Sequence, residues 1–243
     1  DAINAGADLT DGTVKTLERD FFAKHIADGI ITPDQELSVI ISLKYDGCSI
    51  EADCTNVVER ALSRGDTGIG MASDMTPVLK GYPFPRVTGS MAKPFSVKFE
   101  AIMSYENLHR YNVSRGKQYC NCRSAINGLF TASDAWKYRD YITLVPLEVA
   151  YDERVIESYG EVLPGYRRLG EIAFMNSFYV SHAIPFIHTV ETGNYQRILF
   201  MVKKFLEEAE YARSYMGFMY DGIVVEYADD ATREKLGRSG YIN

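Results

Sequence analysis

The stretch LSVIISLKYDGCSIE, residues 37–51, indicates the fold more clearly than any other part of the chain. Apolar and β-branched residues dominate it up to Leu43, and Asp46-Gly47 interrupts it before a second extended run. Two such runs separated by an Asp-Gly pair predict a strand, a tight turn and a second strand. Lys44 is thereby placed at the end of an apolar strand, directly beside the turn.

Strand and helix patterns alternate irregularly along the remainder of the chain. Further strands are predicted at 95–103, 141–151 and 220–227. Apolar residues at helical spacing predict helices at 13–28 (ended by Gly29), 105–111, 123–130 and 195–215. Unevenly spaced strands mixed with helices predict an α+β fold with antiparallel β-sheets flanked by helices. We divide it into a helical lead-in, residues 1–36, and a main domain, residues 37–243.

The charge balance bears on possible partners. The chain has 243 residues, 33 of them acidic and 26 basic, which gives a net charge of -7. A protein that binds nucleic acid over its whole surface is usually basic, because phosphate contacts dominate the affinity. The composition therefore argues against a free-standing DNA-binding module, but it agrees with an enzyme whose basic residues line one cleft.

Cysteine usage and hydropathy point to the cytoplasm. The cysteines are Cys48, Cys54, Cys120 and Cys122. The Cys-x-Cys pair is tighter than a usual zinc half-site, and no histidine cluster accompanies it, so reduced thiols are predicted. No apolar run approaches the ~18 residues that a membrane helix needs, and the N-terminus has no signal-peptide pattern. We therefore expect a cytoplasmic protein that does not use a membrane.

The tetrapeptide KYDG, residues 44–47, has the residue types of a nucleophilic lysine site. An amine at the end of a buried strand can be desolvated, which disfavours the ammonium form and leaves the nitrogen lone pair available. The tetrapeptide is weak evidence by itself, because a structural hairpin with a surface lysine fits it equally well.

Further segments accompany KYDG in a fixed order. They are RGDTGIG at 64–70, VKFE at 97–100, NCRSA at 121–125, Tyr151 at a strand end, and DGIVV at 221–225. Their order and approximate spacing resemble the adenylation (nucleotidyltransferase) domain of NAD-dependent DNA ligases, over about residues 37–237. The segments at 64–70 and 121–125 are more typical of the NAD-dependent branch than of the ATP-dependent ligases.

The resemblance implies a nucleotidyltransferase fold and a defined reaction. Lys44 would attack the α-phosphorus of NAD, release nicotinamide mononucleotide and become a lysyl-AMP. AMP would then pass to the 5′-phosphate of nicked double-stranded DNA. NAD as the AMP donor and Mg²⁺ are the implied cofactors.

The resemblance also implies roles for individual residues. Asp46 would orient phosphate or metal, and Glu100 would hold the ribose or Mg²⁺, since a carboxylate suits a hard cation. The adenine would stack on Tyr151, with Val224 on its other face. A further group would contact the nucleotide, the leaving group or a DNA phosphate: Arg64, Asn121, Arg123 and Asp221. Purely structural roles stay open, such as a turn residue for Asp46 and Asn121, a surface charge for the arginines and Glu100, and a core position for Tyr151 and Val224.

Two positions depart from the family pattern. Ser42 stands where the family has a glutamate that reads the adenine amino group, which leaves base selectivity open. Glu226 stands where the family has a lysine that neutralises phosphate charge, and a carboxylate there would repel phosphate. We therefore expect Glu226 to face away from the phosphates or to lie near a metal ion, and a lysine at this position to be tolerated.

The segment that captures the nicotinamide half of NAD and the oligonucleotide-binding domain are not recognised in the sequence. We expect a fragment, or one part of a divided ligase of the kind some phages have, with partial activity alone. The missing domains would come from the same polypeptide or from a second subunit. Two alternatives stay open. One is a degenerate nucleotidyltransferase that serves as a binding or scaffold subunit, favoured by Ser42 and Glu226; the other is an RNA-ligase or capping-type nucleotidyltransferase.

Overall fold

Two antiparallel sheets form the framework. The computed structural model describes residues 2–55, 57–63, 73–82, 95–150, 164–177 and 188–237. Its strands are β1 Leu37–Tyr45, β2 Cys48–Cys54, β3 Val58–Ser63, β4 Phe95–Ile102, β5 Thr143–Ala150, β6 His188–Gly193 and β7 Tyr220–Tyr227. One sheet has the order β6-β1-β7 and the other β3-β2-β4-β5, and every pairing is antiparallel.

Helices flank both sheets. They are α1 Ala2–Leu17, α2 Lys24–Ala27, α3 Thr76–Leu79, α4 Tyr105–Arg115, α5 Cys122–Phe130, α6 Arg167–Ser177, α7 Tyr195–Met216 and α8 Asp230–Leu236. A π-helical turn, Glu18–Ala23, joins α1 to α2, and a 3₁₀ helix, Ala135–Tyr141, precedes β5. The predicted α+β class with antiparallel sheets flanked by helices is confirmed. Within the described ranges, none of these helices is long and apolar enough to cross a membrane.

The Asp46-Gly47 turn carries the chain from one sheet to the other. β1 pairs with β6 and β7, whereas β2 pairs with β3 and β4, so the predicted strands are present but do not form a hairpin. A Cβ on residue 47 would lie 2.1 Å from the carbonyl oxygen of Ala101 on β4, a distance that only glycine avoids. The chain therefore passes close against β4 at the residue that follows the KYD sequence.

The N-terminal helices pack on the three-stranded sheet. Phe21 and Phe22 are buried in one apolar cluster with Ile41 of β1 and Val202 of α7. His25 Nδ1 lies 2.9 Å from the hydroxyl of Tyr227 at the end of β7, and the two groups are buried. The lead-in and the strands thus share a core, and a domain boundary at residue 36 stays a prediction.

Candidate active site

The candidate site lies at the end of β1, where the pairing with β7 is irregular. Lys44 is opposite Gly222 and Tyr45 is opposite Tyr220, so Asp221 is the extra residue of a β-bulge. Its carboxylate lies 3.6 Å from the Lys44 ammonium. Bulges re-aim side chains and occur often beside active sites. Here the bulge brings a carboxylate to the candidate nucleophile.

The Lys44 ammonium is not desolvated. The side chain is 42% exposed and paired with an Asp221 side chain that is 41% exposed. The strand that carries it is buried, as expected, but the Lys44 side chain itself is partly exposed. The expectation of a desolvated amine is therefore wrong for this conformation. The amine needs a bound ligand or a covering segment to lose water.

Asp46 and Arg123 form the second ion pair of the site. Arg123 Nη1 lies 3.0 Å from Asp46 Oδ1, and Asp46 is the more buried partner, with 13% of its side chain exposed against 57% for Arg123. This hydrogen bond raises the pKa of the Arg123 guanidinium. Arg123 thus places a positive charge next to the Asp46-Gly47 turn.

The start of α5 holds Arg123 in place. Asn121 is the N-cap of this helix, and its side-chain oxygen accepts a hydrogen bond of 2.8 Å from the Ser124 amide. Cys122 and Ala125 are buried against the core, which leaves Arg123 on the outer face. The structure therefore gives Asn121 a capping role, and its predicted contact with substrate stays a prediction.

Glu100 reaches the turn from the other sheet. Its Oε1 accepts a hydrogen bond of 3.0 Å from the Gly47 amide. Burial raises the pKa of Glu100 to about 7; the Gly47 amide and Arg123 oppose the rise, while Asp46 and Asp221 add to it. The carboxyl group is thus close to half-protonated at neutral pH.

This carboxyl group predicts a pH-dependent stability. Its pKa is 4.5 before burial and about 7 in the fold, so the folded chain binds more protons between these values. The stability contributed by Glu100 therefore falls as pH rises from about 4.5 to 7 and stays low above it. Glu100→Gln keeps an oxygen for Gly47 but does not titrate. The free energy of unfolding of Glu100→Gln minus that of wild type should therefore become more positive by about 1–3 kcal/mol as the pH is raised from 4.5 to 8. Urea unfolding of both proteins at the two pH values measures this change. A difference that is constant with pH would contradict this assignment.

The described residues do not provide a preformed metal site. Among them, no group of three or more His, Cys, Asp or Glu side chains could hold a metal ion. The nearest carboxylates already bond to protein donors, Asp46 to Arg123 and Glu100 to Gly47. The Mg²⁺ expected at Glu100 therefore does not fit a protein-only site, and further oxygen ligands would have to come from elsewhere.

Ser42 and Val224 lie next to each other behind Lys44. They are opposite each other in the β1–β7 pairing, two residues along from the Lys44–Gly222 pair and on the same face. Ser42 is buried and Val224 half-buried. Together with Gly222, these residues form a row that leads away from Lys44 along one face of the sheet, and their predicted contact with adenine stays a prediction.

Glu226 is not part of the Lys44 cluster. It is opposite Ile40 on the same face, four residues along the strand from Gly222, or about 13 Å. Its carboxylate is 5% exposed and accepts from Arg168 Nε at 2.9 Å and from Arg233 Nη1 at 2.8 Å. Two arginines neutralise its charge without a metal ion, and the expectation that it faces away from the phosphates stays a prediction. A lysine here would lose both arginine contacts, so the expectation that lysine would be tolerated is revised on grounds of stability.

A cavity of about 720 Å³ opens beside Glu226. Most of its described lining residues are charged: Lys98 and Glu148 of the four-stranded sheet, Arg167, Arg168 and Glu171 of α6, Glu226, and Asp230, Arg233 and Glu234 of α8; Tyr227, Leu236 and Gly237 complete it. Arg168 and Arg233 were not recognised from the sequence, since nothing in their local pattern indicates a partner on β7. Arg64 and Tyr151 lie outside the described residues, so their predicted roles stay predictions.

Comparison with known proteins adds little. No protein-family model matches the chain, and no curated protein matches it. Among solved structures, a mycobacterial DNA ligase D complexed with ATP and MES is similar to it with a TM-score of 0.36 and 12% sequence identity. The similarity covers 82% of this chain and 52% of the ligase chain, so this chain spans about half the length of that protein. A similarity of this size is too low to support an argument about function.

Proposed function

We propose that this chain is the adenylation domain or subunit of an NAD-dependent DNA ligase, with a nucleotidyltransferase fold and Lys44 as the nucleophile. The observation that carries the proposal is the convergence of the predicted residues around the Asp46-Gly47 turn, where the chain passes from one sheet to the other. Lys44 with Asp221, Asp46 with Arg123, and Gly47 with Glu100 are joined by contacts of 3.6, 3.0 and 3.0 Å. These residues come from segments far apart in sequence, so their proximity is independent of the motif spacing that predicted them.

The geometry suits attack of an amine on a phosphorus atom. In the proposed step the Lys44 nitrogen forms a bond to the α-phosphorus, and the phosphorus–oxygen bond to nicotinamide mononucleotide breaks. The ammonium must first lose a proton, and the Asp221 carboxylate, 3.6 Å away, would accept it after closing to hydrogen-bond distance. Arg123 would meet the phosphate oxygens with its planar guanidinium once the phosphate displaces Asp46.

The same arrangement suggests where the ribose and the base of the nucleotide would lie. A phosphate at Lys44 would place the ribose near Glu100 and the base over Ser42 and Val224. Asp46, Glu100 and Asp221 add three carboxyl groups to the two cations Lys44 and Arg123. A divalent cation such as Mg²⁺, arriving with the phosphates, would offset that negative charge and supply electrostatic stabilisation there. NAD is proposed as the donor because of the segments at 64–70 and 121–125.

A nicked duplex is the proposed acceptor of the AMP group. The net charge of -7 gives this chain a poor overall electrostatic attraction for DNA. We therefore propose that an oligonucleotide-binding domain and an NAD-capture segment, from the same polypeptide or a second subunit, hold the duplex and the nicotinamide half. Without them the chain should show partial activity.

A scaffold subunit with a degenerate site is the second candidate. The specific observation in its favour is that Lys44 is exposed and paired with Asp221 rather than desolvated. Such a subunit would keep the fold and the ion pairs but form no covalent adduct. An RNA-ligase or capping-type enzyme would form an adduct from ATP or GTP instead.

Covalent labelling separates these possibilities. The protein is incubated with NAD, ATP or GTP, each carrying ³²P at the phosphate that would be transferred, with and without an NAD-capture segment. It is then run on a denaturing gel. We expect an acid-labile adduct from NAD that nicked DNA discharges. If only ATP or GTP gives an adduct, that nucleotide is the donor and NAD is not. If no nucleotide gives an adduct, the scaffold subunit is favoured.

A further inference from the structure

Arg168, in the first turn of α6, connects the two sheets. Its side chain is 6% exposed, and Nε donates to Glu226 of β7 at 2.9 Å. Nη2 donates to the carbonyl oxygen of Leu147 on β5, also at 2.9 Å. β7 belongs to the three-stranded sheet and β5 to the four-stranded sheet. One planar guanidinium therefore donates hydrogen bonds to a strand of each sheet.

Further hydrogen bonds hold the Arg168 guanidinium and its partner Glu226 in place. Nη1 of Arg168 donates to Glu171 at 2.8 Å, one turn along α6. Glu226 also accepts from Arg233 of α8 at 2.8 Å. A buried arginine of this kind has its charge compensated and its orientation set, because the guanidinium fork is rigid. The neighbouring carboxylates hold the pKa of Arg168 above its usual range despite burial.

Two polar joints thus connect the sheets, in addition to the apolar cluster that β1 shares with β2 and β4. At the Lys44 end the joint is the Asp46-Gly47 turn and the hydrogen bond from Gly47 to Glu100. At the other end it is Arg168, about 13 Å along the strand by the rise of four residues. Lys44 belongs to one sheet and Glu100 to the other, so both joints contribute to their relative position, together with the shared apolar cluster.

We propose that Arg168 is a positioning residue for the reaction of Lys44. It fixes the separation of the two sheets and so holds Lys44 and Glu100 in register for a nucleotide between them. The proposal rests on the function proposed above for Lys44. A misplacement of about 1 Å can lower a rate about 100-fold, so a residue far from the reacting atoms can control the rate through geometry.

Arg168→Lys is the informative variant. It keeps the positive charge beside Glu226 and Glu171, but a compact ammonium lacks the planar fork that also reaches Leu147. At a temperature where the variant is fully folded, the adenylation rate at saturating NAD should fall about 10- to 100-fold, with the KM for NAD changed less than threefold. A purely structural role would lower the melting temperature and leave this rate unchanged.

Sheet separation can be measured without activity. Spin labels are placed on Val190→Cys in β6 and Glu59→Cys in β3, with Cys48 and Cys120 replaced by serine. The distance distribution should be narrow in this background and broader when Arg168→Lys is added. Glu148→Gln is the matched control, since the Lys98–Glu148 pair lines the same cavity but lies within one sheet. It should leave both the rate and the distribution unchanged.

The outcomes separate the two proposals. If wild type forms no adduct from any donor, the proposed function fails, and the role of Arg168 in that reaction fails with it. If wild type forms the adduct and folded Arg168→Lys matches it in rate and distance distribution, only the positioning role is overturned. A lower rate together with a broader distribution, absent in Glu148→Gln, supports it.

Discussion

Replacing Glu226 with lysine is expected to destabilise the fold by about 3–5 kcal/mol. The substitution removes the carboxylate shared by Arg168 and Arg233 and places a third cation beside them. Arg168 is then left buried with Glu171 as its remaining carboxylate at this distance. Breaking one partner of a buried ion pair costs much more than forming the pair contributes, because the other charge stays desolvated.

Urea unfolding of wild type and Glu226→Lys at neutral pH measures this difference. Glu148→Lys is the matched control, because it also reverses a carboxylate at the cavity. The Lys98–Glu148 pair is 44% and 38% exposed, so its loss should cost about 1 kcal/mol or less. Equal destabilisation by the two substitutions would show that the buried network has no special role.

Lys44→Arg is expected to lower adduct formation by at least about 1,000-fold, because it removes the nucleophile and keeps the charge. The guanidinium can still pair with Asp221, but it does not deprotonate under protein conditions and so offers no lone pair for attack on phosphorus. The fold should be nearly unaffected, since Lys44 is half-exposed. Lys98→Arg, at the far cavity, is the control and should retain the adduct.

The measurement is the yield of acid-labile adduct by intact-protein mass spectrometry over time. Digestion and peptide mapping then locate the modified residue. An adduct that forms on Lys44→Arg at the wild-type rate would place the nucleophile elsewhere and remove the basis of the proposed function.

Local patterns predicted the strands around the candidate site well. β1 and β7 are runs of apolar and β-branched residues, and the Asp-Gly pair ends β1 where expected. The sequence did not reveal that this turn leads into a different sheet, because a tight turn has the same residue types in both cases. The strand β6 and the helices α6 and α8 were also missed. They are short or polar, and they are held by contacts distant in sequence, such as the packing of α6 on β5.

The candidate site could also be predicted only where it depends on local sequence rather than on contacts distant in sequence. Residues near the turn, such as Lys44 and Asp46, could be singled out because the pattern that indicates their proposed roles lies within their own segment. The environment of Glu226 could not, because its partner Arg168 is 58 residues away in the chain. The pairing of Lys44 with Asp221 was also unpredictable, since it depends on a register shift between β1 and β7 that no local pattern encodes.

The crossing of the chain at Asp46-Gly47 ties the Lys44 end of β1 to the four-stranded sheet through the covalent backbone. Lys44 and the first residue of β2 are only four positions apart, so the sheets cannot separate there without breaking the turn. Arg168 joins the sheets again about 13 Å away, through hydrogen bonds to Glu226 and to the Leu147 carbonyl oxygen. The two connections thus differ in kind: the backbone tether is the same in every variant, whereas a single substitution can remove the hydrogen-bonded one.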